Sequence, residues 1–324
     1  MSLIVLLKGL LEGKQAKATL EADWQSRLYT PTVIEQHGDH IFIVDCWHHR
    51  VLYSADIKEP IERWSVLTDR VGTPHSIASD GTFFLTEDAV SSKVLVFRRK
   101  GGKYTRVQEI TEIGSRPHRI IYDSATKYFY GIAAASGEIF VLKNRADRIE
   151  RAALFQVEPL KNAYTRSLAI IDRKLYTVSG PGKILEINLE RLQDGELYIE
   201  SEYRVPFELW TMNDIIRVGS YYYISSYQNG NGEIAPRFIR VKRLEDLESH
   251  SYEDIYGEMG LKGVPYYFSF IGNRIYMTEI DNYSRIISFR LQEDRIVDIQ
   301  THFDFGAAVE SSRERREQGE TQGV

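Results

Sequence analysis

An internal repeat constrains the fold of this chain more than any other feature. Six units follow one another, and each has a β-type segment, a tight turn, a second β-type segment, another turn and a third. Equivalent apolar anchors lie 43, 43, 48, 47 and 53 residues apart, at Ile34, Ile77, Ile120, Leu168, Ile215 and Phe268. Self-similarity at such a period is typical of repeat architectures.

A fourth alternating segment, such as residues 104–110 or 197–205, separates most units. Four of the six first turns carry glycine, which supplies the positive φ that hairpin turns often need: Gly38, Gly81, Gly219 and Gly272. Four short strands cannot bury both faces of a sheet alone, whereas sheets stacked radially can. The sequence therefore predicts an all-β fold, a six-bladed β-propeller of four-stranded antiparallel blades. Residues 18–24 and 295–302 both remain candidates for the outer strand at the ring closure.

The units resemble NHL repeats, most clearly from Pro74-His75-Ser76-Ile77 to Phe97. The resemblance spans about residues 30–290. It extends to a superfamily that includes amidating-lyase, gluconolactonase-type and virginiamycin-lyase propellers. Because these proteins differ in function, the resemblance implies the fold and no single activity.

Composition excludes several classes of function. The net charge of −5 is mixed in sign and leaves no basic stripe, so we expect no nucleic acid partner. No apolar run reaches transmembrane length, so we expect no membrane partner. The single Cys46 excludes an intrachain disulfide and multi-cysteine zinc sites, and nothing indicates an oxidising compartment. These features predict a cytoplasmic protein.

The chain ends are predicted to lie outside the propeller. We assign residues 1–17 to an N-terminal segment, 18–305 to the propeller and 306–324 to a disordered charged tail. Residues 3–11 are apolar and Ala16-Lys17-Ala18 resembles a signal-peptidase site, but Lys8 interrupts the apolar run and no basic residue precedes it. An amphipathic helix is the preferred interpretation, and a secretory signal is the alternative.

Two rows of side chains are predicted to meet at one mouth of the central channel. The row just before each first strand holds Thr32, His75, His118, Arg166, Asn213 and Tyr266. The row ending each second strand holds Asp45, Glu87, Ile132, Ser179, Ser225 and Glu279. A concave mouth with converging polar groups is the default ligand site, although polar residues also line channels without binding anything.

A metal site is one prediction for this mouth. His75 and His118 occupy equivalent positions on neighbouring blades, and Glu87 or Asp45 would complete a set for a divalent ion such as zinc, calcium or iron. Amidating-lyase propellers bind zinc through Pro-His motifs of separate blades, so the resemblance implies His75 and His118 as ligands. No third Pro-His motif is present to complete that set.

The other candidates point to an anionic ligand. Arg166 would clamp a carboxylate or phosphate and act in catalysis with Glu87 and Asp45; the alternative for Arg166 is a salt bridge to Asp214 or Glu87. The predicted ligand-binding residues are Asn213, Asp214, Tyr266, Glu279, Thr32 and Trp47. Packing between blades is the preferred alternative for Trp47. Trp210 and Tyr164 would either wall an aromatic pocket or, as we prefer, pack between blades.

Three functions follow from these patterns. The first is binding of a small, anionic ligand at the mouth, with residues 226–236 as a lid. The alternative is a metal-assisted lyase or hydrolase that uses His75 and His118. The second alternative is a scaffold for a protein partner. Alternation along the second strand turns Cys46 away from Asp45, which argues against a catalytic thiol.

Overall fold

The computed structural model describes residues 24–180, 182–281 and 283–307. Their strands form six four-stranded antiparallel sheets, each with its strands in chain order. The first three blades comprise β1 Pro31–His37, β2 His40–Asp45, β3 Arg50–Ser54, β4 Ser65–Thr68; β5 Ala78–Ser79, β6 Phe83–Asp88, β7 Lys93–Lys100, β8 Lys103–Ile110; β9 Pro117–Asp123, β10 Tyr128–Ala133, β11 Glu138–Asn144, β12 Ile149–Gln156.

The last three blades follow the same order. They comprise β13 Tyr164–Ile171, β14 Lys174–Gly180, β15 Lys183–Asn188, β16 Ile199–Arg204; β17 Thr211–Val218, β18 Tyr221–Gln228, β19 Ile234–Val241, β20 Glu253–Asp254; β21 Val264–Ile271, β22 Arg274–Ile280, β23 Tyr283–Gln292, β24 Arg295–Ala307. Short helices join some of them: 3-10 turns at Cys46–His48, Ile61–Arg63, Glu158–Leu160, Phe207–Leu209 and Leu244–Asp246, and helix α1 at Leu189–Gln193. The predicted six-bladed propeller is confirmed.

The core lies between blades. Six apolar clusters fill the six seams, and each joins the facing sides of two neighbouring sheets. In the seam between the first two blades, for example, Phe42 and Val44 pack against Phe84, Leu95 and Phe97. A four-stranded sheet thus buries one face against each neighbour, which explains why no blade is stable alone. The four turn glycines have φ between 58° and 88°, as predicted.

The C-terminal strand completes the sixth blade. β24 pairs with β23 from Gln292↔Arg295 to Tyr283↔Ala307, so residues 295–302 form the outer strand of that sheet. The sixth blade meets the first through an apolar cluster that includes Ile34, Ile43 and Phe303. The predictions for residues 1–17 and 308–324, and for 18–23 as a competing strand, fall outside the described residues.

Gly131 offers a test of packing within a blade. It lies in β10 opposite Phe140 of β11, and a Cβ atom at Gly131 would overlap the Phe140 ring at Cζ. We expect Gly131→Ala to lower the free energy of unfolding by about 2 kcal/mol, because a fully buried ring has little room to move aside. Urea unfolding would measure this. Gly257→Ala is the control, since nothing lies within 4 Å of its added Cβ, and an equal loss in both variants would contradict the argument.

Candidate functional site

The mouth of the channel holds a cavity of about 160 Å³. All six residues of the row before the first strands line it: Thr32, His75, His118, Arg166, Asn213 and Tyr266. Each belongs to a different blade, so the repeat brings six side chains of five different kinds to one place. Trp47, the seventh predicted site residue on the cavity wall, comes from the turn after β2.

Members of two further rows of the repeat line the cavity, and of these only Tyr164 was considered from the sequence, as the wall of an aromatic pocket. Thr30, Arg116 and Tyr164 stand two residues before members of the first row, and Tyr227 and Asp281 stand two residues after members of the strand-end row. Thr30, Arg116 and Asp281 lie just outside the strands and have positive φ, so the local turns rather than strand alternation direct them at the cavity. The wall is completed by Ile280.

The predicted strand-end carboxylates do not line the cavity. Glu87 Oε1 accepts hydrogen bonds from the backbone N–H groups of His75 and Ser76, the latter at 2.7 Å, and Glu87 Oε2 accepts one from Ser76 Oγ at 2.6 Å. Burial raises the pKa of Glu87 to about 8, although these hydrogen bonds oppose it. The Glu87 carboxyl therefore holds the segment that carries His75, and its oxygens are engaged by the chain itself.

Asp45 and Glu279 belong to the same row, at the ends of the second strands, and their carboxylates make the same kind of contact. Asp45 accepts hydrogen bonds from Tyr29 N (2.6 Å), His48 Nδ1 (2.8 Å) and Arg50 Nε (2.8 Å). Glu279 accepts them from Lys262 N (2.7 Å), Gly263 N (3.1 Å) and Arg285 Nη1 (2.9 Å). Each carboxylate thus ties the segment entering its blade to the end of the second strand. The fourth predicted carboxylate, Asp214, is also absent from the cavity wall and accepts from Ser167 Oγ and Phe268 N.

The two mouth histidines stack on each other. Their ring centroids are 3.8 Å apart and their planes differ by 13°. His118 Nδ1 lies 2.8 Å from the carbonyl oxygen of Arg166, which can only accept, so Nδ1 carries the proton. Tyr266 Oη lies 3.4 Å from both His118 Nε2 and His75 Nδ1. Burial, reinforced by neighbouring cationic groups, holds the pKa of both histidines well below the usual value, so both rings are neutral.

This stacking does not suit a shared metal ion. Imidazole lone pairs lie in the ring plane, and two parallel rings 3.8 Å apart cannot direct both lone pairs at one ion about 2 Å away. Across the described residues, no group of three His, Cys, Asp or Glu side chains is placed to hold a metal ion. The two imidazoles and the Tyr266 hydroxyl instead provide neutral hydrogen-bonding groups at the mouth.

Two arginines, Arg116 and Arg166, and one carboxylate, Asp281, line the mouth. The Arg166 guanidinium carbon lies 5.1 Å from the Tyr164 ring centroid and 5.3 Å from that of Tyr227, and the Arg116 carbon lies 5.5 Å from Tyr164. Tyr164 thus contacts both cations. The predicted alternative of a salt bridge from Arg166 to Asp214 or Glu87 is not present in the structure; across the described residues, neither arginine forms an ion pair with a carboxylate.

A third arginine lies below the mouth. Arg119 follows His118 in β9 and is fully buried, with its guanidinium carbon 3.8 Å from the ring centroid of Tyr267. None of its three side-chain nitrogens has a hydrogen-bond partner among the described residues. Arg119 opposes the rise that burial causes in the pKa of Asp214, so the two groups compensate each other electrostatically.

The local backbone differs from the prediction at Cys46 and at residues 226–236. Cys46 starts a 3-10 turn rather than continuing β2, so its buried Sγ lies 3.9 Å from His75 Nε2. Residues 226–236, predicted as a lid, instead extend β18 and β19 as a hairpin with a turn at residues 229–233. This hairpin carries Tyr227 to the cavity wall.

Comparisons with known proteins show the fold. No protein-family model matches the chain, and no curated protein matches it. A putative 6-phosphogluconolactonase from Bacteroides uniformis is 15% identical, with a TM-score of 0.59 over 86% of this chain and 85% of that one. Saccharomyces cerevisiae Sqt1 is 12% identical, with a TM-score of 0.59 over 87% and 88% of the two chains.

A third solved structure, a nidogen/laminin complex, includes a chain 14% identical to this one, with a TM-score of 0.52 over 80% of this chain and 92% of that one. Identities this low show a shared propeller-like architecture alone. No helix among the described residues has the length and apolar character needed to span a membrane.

Proposed function

We propose that this propeller binds a small anionic ligand at the channel mouth, with Arg116 and Arg166 as the cationic pair that receives it. The observation that carries the proposal is two guanidinium groups in one cavity, neither paired with a carboxylate of the described residues. A guanidinium is always charged and presents donors that match a carboxylate or phosphate. A bound anion would relieve the repulsion between the two cations.

The remaining wall supplies unpaired polar atoms. Thr30 Oγ1, Arg116 Nε and Asn213 Oδ1 are buried and have no hydrogen-bond partner in the described structure. Leaving such a group unpaired costs about 1–3 kcal/mol, so the wall keeps unused hydrogen-bonding capacity beside the arginines. Thr30 and Arg116 also adopt φ of 65° and 56°, which is unusual for residues other than glycine and is often found where function requires a particular geometry.

The substrate class, the relation to known propellers and the cellular location are also part of this proposal. The name 6-phosphogluconolactonase, given to the Bacteroides protein, denotes action on a phosphorylated sugar lactone, which belongs to the class of small anions proposed here. The kinship to NHL-type propellers and a cytoplasmic location, suggested by the lone Cys46, are likewise proposals. The metal-assisted lyase and the protein scaffold have no comparable observation in their favour.

Titration calorimetry with citrate would test the site. We expect Arg116→Gln/Arg166→Gln to weaken citrate binding about 30-fold, because two charge-assisted contacts are lost and glutamine keeps part of each side chain's bulk. Arg63→Gln is the control, since that side chain is largely exposed and lies outside the cavity wall. Equal weakening in the control would indicate a general charge effect, and an unchanged affinity in the double variant would reject the site.

A further inference from the structure

We propose that the ligand is a small zwitterion of the amino-acid class, whose carboxylate lies at Arg116 and Arg166 and whose ammonium group lies at Asp281. This inference rests on the proposed function, which places the anionic group of the ligand at the two arginines. It adds the second charge that the ligand carries and the side chain that receives it. Asp281 was not among the site residues predicted from the sequence.

Asp281 lies on the wall of the same cavity as the two arginines. It directly follows β22 and is only 5% exposed. Because little water surrounds this carboxylate, its charge acts more strongly on a group inside the cavity than it would at an open surface. A positive group that enters the cavity is therefore attracted to Asp281.

The order of the blades places the opposite charges on opposite sides of the channel axis. The blades follow chain order around the ring, and the sixth meets the first. In a closed ring of six blades, the third and the sixth stand opposite each other. Arg116 directly precedes β9 of the third blade and Arg166 lies in β13 of the fourth, whereas Asp281 follows β22 of the sixth.

Neutral groups lie between these charges. Tyr266 of the sixth blade reaches across the axis to His118 of the third, with Oη 3.4 Å from Nε2 and ring centroids 6.5 Å apart. Across the described residues, neither Arg116 nor Arg166 forms an ion pair with Asp281. Opposite charges that are held apart in one cavity are complementary to a ligand that carries both charges.

The side of the cavity that holds Asp281 suits a cation in other respects. Among the described residues, the fifth, sixth and first blades contribute no arginine or lysine to the cavity wall. The first blade contributes Trp47, an indole that can add cation–π attraction for an ammonium group. The hydrogen bond from Thr30 N to Ser284 Oγ, at 3.0 Å, joins the entry of the first blade to the sixth beside Asp281.

The same carboxylate disfavours a ligand with two anionic ends. A second carboxylate or phosphate on the ligand would share the cavity with Asp281, and like charges placed close together at a binding site are unfavourable. A ligand with one anionic end and an apolar end would leave Asp281 without a complementary charge. The cavity therefore favours a zwitterion over both alternatives.

Calorimetric titrations with 4-aminobutanoate, pentanoate and glutarate would test this inference. The three compounds share a carboxylate and a three-carbon chain, and they end in an ammonium, a methyl and a second carboxylate group. We expect the wild-type protein to bind 4-aminobutanoate at least tenfold more tightly than either of the others. A factor of ten corresponds to about 1.4 kcal/mol, which is within the range for one hydrogen bond to a charged group.

Asp281→Asn should remove this preference. Without the negative charge, 4-aminobutanoate should bind no more tightly than pentanoate, and glutarate should bind more tightly than it does to the wild type. Asp88→Asn is the matched control, because it makes the same change of charge at a carboxylate that is 6% exposed, at the end of β6, and that does not line the cavity. The control should keep the wild-type order of the three compounds.

Two results would overturn the inference: wild-type binding of 4-aminobutanoate no tighter than that of pentanoate or glutarate, and an equal loss of preference in both variants. The wild-type comparison needs no variant, so it decides the question even if Asp281→Asn does not fold. If none of the three compounds binds the wild type, the proposed function fails together with the zwitterion. If all three bind equally and Arg116→Gln/Arg166→Gln weakens them, only the zwitterion fails.

Discussion

Replacing Arg119 with methionine is expected to lower the free energy of unfolding by about 2 kcal/mol, because the buried Asp214 loses the charge that opposes the rise of its pKa, while removal of a buried guanidinium without hydrogen-bond partners offsets part of that loss. Arg119 is fully buried and Asp214 is 2% exposed. Burial already raises the pKa of Asp214, and the charge on Arg119 is the first influence that opposes this rise. Methionine fills a similar volume, so the loss reports the charge more than a cavity.

A double-mutant cycle separates the charge from the shape. Asp214→Asn removes the charge and keeps one oxygen for Phe268 N, which donates to Oδ2 at 3.0 Å; its NH2 group then takes the place of Oδ1, where Ser167 Oγ, at 2.7 Å, can accept instead of donate. We expect Arg119→Met/Asp214→Asn to recover most of the stability that Arg119→Met loses, since replacing both members of a buried pair is often close to neutral. Urea unfolding at neutral pH would measure all four proteins.

Additive losses in this cycle would contradict the argument. The three nitrogens of Arg119 have no hydrogen-bond partner in the described structure, so the charge itself and the stacking on Tyr267 at 3.8 Å are its visible contacts. If the double variant were as unstable as the sum of the single ones, the stacking on Tyr267 would have to supply the whole effect. Tyr267→Leu, measured alone, would then show a loss of similar size.

The repeat made the fold and the position of the mouth cavity predictable. Its register put Thr32, His75 and Arg166 at equivalent positions, and closure of the ring brought the whole row to one cavity. Its closure by β24 could not be chosen from the sequence, because residues 18–24 and 295–302 both have the composition of an outer strand. Which segment pairs with β23 depends on packing in three dimensions.

The chemistry of the site was harder to predict than its place. Asp45, Glu87 and Glu279 were expected in the mouth because they end the second strands of their blades, yet each accepts hydrogen bonds from backbone N–H groups at its own blade. A single residue cannot reveal whether its partners are water, ligand or chain. Arg116 was overlooked because it precedes the conspicuous Pro-His pair, and its positive φ, which directs it to the same wall as His118, could not be predicted from the sequence.

The stability of the wild-type protein is expected to depend on pH through Glu87, and Glu87→Gln should abolish this dependence. Burial raises the pKa of Glu87 to about 8 from an ordinary value of 4.5, so between these values the folded state holds a proton that the unfolded state releases. Stability from this group is complete below pH 4.5 and is lost as the pH rises towards 8. One pKa unit corresponds to about 1.4 kcal/mol. The difference in the free energy of unfolding between wild type and variant should therefore change by roughly 3 kcal/mol from about pH 5 to about pH 8.

The comparison with glutamine isolates this group from the histidines nearby. His75 and His118 have pKa values well below the ordinary one, so they stabilise the folded state as the pH rises through 6.5, which is the opposite direction. Their contribution is common to both proteins and cancels in the difference. Glutamine retains an oxygen for the N–H groups of His75 and Ser76, so the fold of the segment is kept. If the difference in the free energy of unfolding between wild type and variant stayed constant across this pH range, Glu87 would be ionised throughout. Its three hydrogen bonds would then stabilise the charged form more than burial destabilises it.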